Sequence, residues 1–499
     1  MHFKLISLIL LLAVFRSNSQ VLVKNAHLQF NSNSYQDFAE EDASDFHFKV
    51  KNRWLDVFCN KHWFSYNDTA VAITIDPVLG LSYGNDNWRN TRGAHVKGKI
   101  AKLSFYAHFT ENQTLSFAYI NDYISRTGVY PGSGRVRPYN DGWDYAASNS
   151  RINFDLNKWF SFSGGYDTHF VGNGFRSLVL DQSNFPYPFF MIKTSLGKVV
   201  YRNLYVKHLN IYDRVSPTDG FRSKFGAYQI LDWQLSKKIG FSLIQGIVQG
   251  NDTLSTRKIL DVNYWNPIIF LRPVEFSGGS PDNAIIALNA NYLMNESLQF
   301  YIQGLVDDIK MSELVKRSGF FQNKLAFQIG AKFKWEKNYW RIKSGIEYNQ
   351  VRPYVYAHKY TIQNYSHHGE SLGHQLGANF HEGMMWAEIS FKRWKVDWLL
   401  DYYQQGIDVN GQSFGSNIFI SDFQSVYGEF SSGNSLLQGE TNKVFSNRIN
   451  ISYLINKKNN TRIGLSSVLR NAESTSTTRQ ANYFNVFYKI NLARENEVF

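Results

Sequence analysis

From Leu325 to Trp335 the chain reads LAFQIGAKFKW, and from Trp340 to Tyr348 it reads WRIKSGIEY, with Glu336-Lys337-Asn338-Tyr339 as a tight polar turn between. Leu325, Phe327, Ile329, Ala331, Phe333 and Trp335 alternate with polar or small residues. Trp340, Ile342, Ser344, Ile346 and Tyr348 do the same on the return. A period of two sends alternate side chains to opposite faces of a strand. Each run is long enough to cross a bilayer when tilted, which takes about 9–11 residues. The apolar face carries Trp335 and Trp340 beside the turn, where a membrane interface favours them. The other face holds Lys332, Lys334, Arg341, Lys343 and Glu347, as a wet barrel lumen would. The hairpin reads as part of an outer-membrane β-barrel.

The same rhythm recurs from Val71 to Leu492. Hairpins are expected around Thr110-Glu111-Asn112-Gln113, Ser236-Lys237-Lys238, Asn295-Glu296-Ser297 and Lys457-Lys458-Asn459-Asn460. Longer polar stretches separate them: 128–142, 251–280, 364–375 and 406–442. Short turns at one end and long loops at the other place the short turns in the periplasm. The length left for the barrel accommodates roughly 16–18 antiparallel strands. The expected fold is therefore an all-β, antiparallel transmembrane β-barrel over 67–499. A small N-terminal periplasmic element is expected over 20–66, where Trp54, Leu55, Phe58 and Trp63 fall at helical spacing. The last strand, with Phe484, Val486, Tyr488, Ile490 and Leu492 on one face, and the terminal Phe499 resemble the signal read by the barrel-assembly machinery.

The N-terminus fits an exported protein. Lys4, the apolar run Leu5–Phe15 and Ser17-Asn18-Ser19 form a secretory signal peptide over 1–19. No run of 18 or more apolar residues follows, so no transmembrane helix is expected. Aromatics make up 16% of the chain, and its mean hydropathy of -0.35 is what alternating strands average to. The formal charge is +12; removing Lys4 and Arg16 leaves 51 basic against 41 acidic residues, or +10. The basic residues are scattered along strands, which argues for anionic glycans, lipopolysaccharide or solutes as partners and against nucleic acid. Cys59 is the single cysteine, which excludes an intrachain disulfide and reads as a packed thiol.

No catalytic residues are nominated, and no enzymatic activity or cofactor is expected. Five histidines, His358, His367, His368, His374 and His381, fall close together, but without the helical spacing of a metal motif. A solvated extracellular loop is the expectation there, and no metal site is assigned. Between Gly164 and Leu178 the alternation breaks. Gly172-Asn173-Gly174 is followed by no helix pattern, so a phosphate-cradling loop is excluded. A strand end turning inward, with Gly where a backbone passes closely, fits better. His169, Arg176 and Asp181 then either line the lumen and bind glycan or brace the inward loop.

Residues 67 to about 210 resemble the Bacteroidota gliding motility protein RemB family, which in turn is similar to the Wzi capsule-assembly barrels. The resemblance rests on Ile75-Asp76-Pro77-Val78-Leu79-Gly80-Leu81, Thr91-Arg92-Gly93, Val96-Lys97-Gly98 and Phe105-Tyr106. It continues through Glu111-Asn112-Gln113, Pro131-Gly132-Ser133-Gly134, Asp144-Tyr145-Ala146, Gly174-Phe175-Arg176-Ser177-Leu178 and Tyr187-Pro188. Gly197-Lys198 stands where the family pattern has Trp-Lys. The resemblance implies about 18 strands, a periplasmic N-terminal element and no catalytic residues. It also implies a cell-surface role in capsule or exopolysaccharide assembly and attachment, or in gliding and adhesion. The expected polysaccharide-binding residues are Arg92, Arg135, Arg137, His169, Arg176 and Asp181. The alternative is a passive porin with a basic, anion-preferring lumen.

Overall fold

The hairpin that opens the sequence argument forms two of eighteen strands in a closed ring. The computed structural model describes residues 52–214, 220–250, 262–267, 282–424, 431–475 and 477–492. The signal peptide, residues 20–51 and the terminal Phe499 lie outside the described residues.

The ring runs in chain order: β1 Val71–Gly84, β2 Asn87–Ile100, β3 Leu103–Leu115, β4 Gly142–Asp155, β5 Phe160–Asp167 and β6 Tyr187–Leu196. It continues with β7 Val199–Arg214, β8 Phe221–Gln234, β9 Ile239–Gly250, β10 Asn283–Leu293, β11 Leu298–Asp308 and β12 Lys324–Lys337. The remaining strands are β13 Trp340–Val351, β14 Phe380–Phe391, β15 Trp394–Ile407, β16 Glu440–Asn456, β17 Thr461–Glu473 and β18 Thr478–Ile490. Every neighbour pair is antiparallel, and β18 closes on β1 from Leu79↔Ile490 to Gly84↔Asn485. Closure leaves the ring of eighteen strands without a free edge, the condition for backbone in lipid. This is an outer-membrane β-barrel.

The opening hairpin keeps its register from Ala326↔Val351 to Lys337↔Trp340. Its turn is tighter than the four polar residues suggested, because Asn338 takes a left-handed φ of 56° and two residues suffice. Phe327, Ile329, Phe333, Trp335, Trp340 and Ile346 face outward and exposed, as a lipid-facing wall requires.

One expected hairpin is not there. Thr110-Glu111-Asn112-Gln113 lies within β3, which runs without a break from Leu103 to Leu115. The turn is Ala101-Lys102, with Ala101 at a φ of 52°. The four polar residues alternate inward (Thr110, Asn112) and outward (Glu111, Gln113). They looked like a turn because this stretch of outer wall is polar.

The N-terminal element contains helix α1, Arg53–Asn60, followed by a short strand, Phe64–Asn67. The strand pairs with β1 from Phe64↔Ile75 to Asn67↔Ala72, directly below the point where β18 stops pairing with β1. It therefore extends the wall at the seam. Asn456, beside the β16–β17 turn, donates to the carbonyls of Phe58 and Lys61, both at 2.9 Å, and holds the helix at the rim. Asp76 accepts the Trp63 N–H at 2.9 Å.

Candidate functional site: a filled lumen beneath an aromatic and basic face

The face of β12 and β13 that reads as wet is dry over its extracellular half, while Lys334, Arg341 and Lys343 nearer the turn are only half-buried. Gln328, Lys332, Glu347 and Asn349 are all buried. What buries them is the connection between β5 and β6 (168–186), together with the β13–β14 connection (352–379). Both fold into the barrel. Val171, Leu178, Val179 and Leu180 from the first, and Val355, Tyr356, Tyr365 and Leu372 from the second, share an apolar core with Leu204, Val206, Ile230 and Ile285 of the wall. Hydrophobic burial of this kind favours the compact state in proportion to the area removed from water.

Polar wall residues complete the seat by meeting the loop backbone. Gln303 accepts the Leu178 N–H at 2.6 Å and donates to the Val171 carbonyl at 3.0 Å. Glu347 accepts the N–H groups of Phe175 at 2.6 Å and Arg176 at 3.1 Å. Gln328 donates to the Arg176 carbonyl at 2.9 Å. Tyr356 and Tyr365 donate their hydroxyls to the carbonyls of Leu178 and Val179, each at 2.7 Å. These bonds satisfy the buried loop backbone that would otherwise be costly to remove from water. Gly174 is required by this contact. A Cβ there would lie 2.6 Å from both Gln328 Oε1 and Glu347 Oε2.

The expected binding residues separate into three places. His169, Arg176 and Asp181 are inside the lumen and buried. The Arg176 guanidinium donates to Gln375 Oε1 at 2.9 Å and lies 3.8 Å from the Glu382 carboxylate, which also binds His374 Nε2 at 2.8 Å. Asp181 accepts the N–H groups of Ser177 and Ser183, both at 2.8 Å. His169 packs edge-on against Phe189 at 4.4 Å between ring centres, and burial holds its imidazole well below the usual range. In the structure these three brace the inward loop. Arg92 is on the outer wall, 3.2 Å from Glu111. Arg135 and Arg137 are exposed at the extracellular end.

The five histidines do not form a solvated loop. His367 accepts the Leu209 N–H at Nδ1 (3.0 Å) and donates from Nε2 to the Pro186 carbonyl (3.2 Å), and His374 is fully buried. The apolar core draws them in, and burial lowers His367 to about 3 and His368 to about 4. Among the described residues no group of three His, Cys, Asp or Glu side chains is placed to hold a metal ion. Glu370, between these segments, accepts the N–H of Gly132 at 2.7 Å and of Phe185 at 3.0 Å. One carboxylate thus ties together the connections that follow β3, β5 and β13. Burial raises it to about 8.

Above the plug lies a strip of which the sequence singled out only Arg135. Arg135 stacks over the Phe221 ring at 4.9 Å. Lys359 lies 4.8 Å from the Phe423 ring centre and beside the half-exposed Tyr360. Tyr212 meets Phe419 edge-on at 5.1 Å. Ser421 Oγ donates to the Lys359 carbonyl at 2.8 Å, joining the last two groups. Aromatic faces beside cations offer a sugar ring a stacking surface and its acidic groups a partner. No periodicity marks these residues, since they come from three different connections and from the ends of β7 and β8.

No family model matches the sequence, and no curated protein matches it. Among solved structures, the barrel resembles Wzi of Escherichia coli, described as an outer membrane protein involved in group 1 capsule assembly and a carbohydrate-binding β-barrel. The identity is 13%, the TM-score 0.54, and 84% of this chain and 85% of that one are covered. It also matches OprD of Pseudomonas aeruginosa, at 9% identity and a TM-score of 0.43 over 85% and 94% of the two chains. Acinetobacter baumannii OccAB2 matches at 10% identity and 0.45, over 84% and 97%. At these identities the likeness to Wzi gives the fold. The chain is an outer-membrane β-barrel.

Proposed function

We propose that the chain is a non-enzymatic barrel that holds acidic surface polysaccharide or lipopolysaccharide at its extracellular face, in capsule assembly or attachment or in gliding motility. The observation that supports this reading is the packed lumen. Two connections fill it with apolar side chains and satisfied backbone, which leaves the extracellular strip as the surface offered to a ligand. Arg135 and Lys359 supply charge to that strip, and Tyr360 and Tyr212 supply rings. Arg137, exposed near Arg135, adds a further cation. His169, Arg176 and Asp181 act one layer below, by keeping the loops that carry the strip in place.

A second reading, a basic anion channel, draws on the periplasmic half of the lumen, where Lys97, Lys193, Lys343 and Lys395 face inward and are only half-buried. Binding of purified acidic polysaccharide to the full-length barrel in vesicles tests the first reading. Arg135→Ala with Lys359→Ala is expected to weaken binding at least tenfold. Unchanged binding in that double variant sinks it.

A further inference from the structure

The outer wall of β2–β4 carries an exposed polar island. Alternation turns Thr91 and His95 inward, where both are buried, and leaves Asn90, Arg92 and Ala94 outward. In register beside Arg92 stands Glu111 of β3, and beyond it Ala146 of β4. One row toward the extracellular end are Asn90, Gln113 and Asp144; one row toward the periplasm are Ala94, Phe109 and Ser148. Arg92 and Glu111 form an ion pair at 3.2 Å, with 57% and 52% of their side chains exposed. Leu79, Leu81 and Tyr83 border the island on β1, and Phe109 borders it below; all four are exposed. The island is thus set within the apolar band, below Tyr83 and Trp88 of the extracellular end.

Charges on the lipid face destabilise a barrel in proportion to their depth. Acyl chains offer this pair nothing. Ala146, in the same row as the pair, is small and leaves room for another wall to approach it closely, as small residues do between membrane segments. We propose that the island is a contact between two copies of this chain. An isologous contact must be its own complement. Arg92 and Glu111 stand side by side on neighbouring strands, so a two-fold axis between them sets each Arg92 against the other copy's Glu111. Lipopolysaccharide suits the island less well. Its phosphates would meet Glu111 and Asp144 as well as Arg92.

The test uses the full chain in outer-membrane vesicles, with Cys59→Ser and Ala94→Cys, treated with a short bis-maleimide. A cross-linked dimer several-fold above that of Ile302→Cys, on the outer wall at β11, is the expected result. Arg92→Glu in that background should abolish most of the excess, and adding Glu111→Arg should restore it. Ala94→Cys yielding no more dimer than Ile302→Cys overturns the proposal, and so does a dimer indifferent to both charge reversals. Loss of co-purified lipopolysaccharide in Arg92→Glu, with no dimer in the parent, assigns the island to the lipid headgroup instead and also overturns it. The parent cross-link needs no charge variant, so a reversal that fails to fold leaves the test standing.

Discussion

The carboxylate of Glu347, on the barrel wall, receives the backbone N–H of Arg176, in the connection between β5 and β6, at 3.1 Å. The same carboxylate takes the Phe175 N–H at 2.6 Å and the Tyr301 hydroxyl at 2.6 Å. A wall side chain here does for a loop what a neighbouring strand does for a strand. Glu347→Ala leaves two buried N–H groups without an acceptor, and each such loss costs about 1–3 kcal/mol. The variant is expected to unfold at a lower temperature and to show brief openings in a planar bilayer that the parent lacks. Identical melting and identical bilayer traces would show that Glu347 does not hold the loop.

Gly174→Ala tests the same seat from the loop side. Its methyl would press on Gln328 and Glu347, both buried. Overpacking of that kind costs about 1–3 kcal/mol. Gly304→Ala, on the wall with nothing within 4 Å of the added Cβ, is the matched control. A lower melting temperature is expected for Gly174→Ala alone.

The pH dependence follows from Glu370 and its neighbours. Burial raises Glu370 from 4.5 to about 8, so the folded state favours the uncharged acid. Its stabilising contribution is complete below about pH 4.5 and is lost as pH rises through about 8. His367 and His368 shift the other way, from 6.5 to about 3 and about 4, again through burial. Their contribution is present above pH 6.5 and is lost as pH falls through about 4 and then 3. Of these three groups only the carboxylate changes between pH 6.5 and 8, and it should lower the melting temperature there. Glu370→Gln should make that fall shallower while leaving the acid side sloped. A parent whose melting temperature stays level from pH 6.5 to 8 contradicts this assignment.

Tyr360→Ala removes a half-exposed ring from the extracellular strip without touching the plug core. Loss of one stacking surface is expected to weaken polysaccharide binding about threefold to tenfold, corresponding to roughly 0.6–1.4 kcal/mol. Melting should be unchanged. Isothermal titration with an acidic polysaccharide, alongside thermal unfolding, separates the two effects.

Much of the barrel could be read from the chain because lipid imposes a strict rule on it. Leu325 to Tyr348 alternates cleanly since each outward side chain meets hydrocarbon. That rule also explains the one hairpin misread. Glu111 and Gln113 face outward yet are polar, so a mid-strand stretch took on the composition of a turn. The plug was hidden for a different reason. Val171, Leu178–Leu180, Val355 and Tyr356 are short apolar runs in connections with no period, and Gln303 and Tyr356, which meet Val171 and Leu178, lie more than a hundred residues from them. The breaks at Gly172 and Gly174 marked a close backbone approach but not what was approached. His367 and His374 looked solvated because nothing in their local sequence announces a core.

Planar-bilayer conductance of the purified full-length barrel tests the filled lumen most directly. The account predicts no steady open-channel current in the parent protein, with current appearing once the seat of the 168–186 connection is broken by Glu347→Ala. Steady, anion-selective current through the unaltered barrel would contradict it and would establish the channel reading.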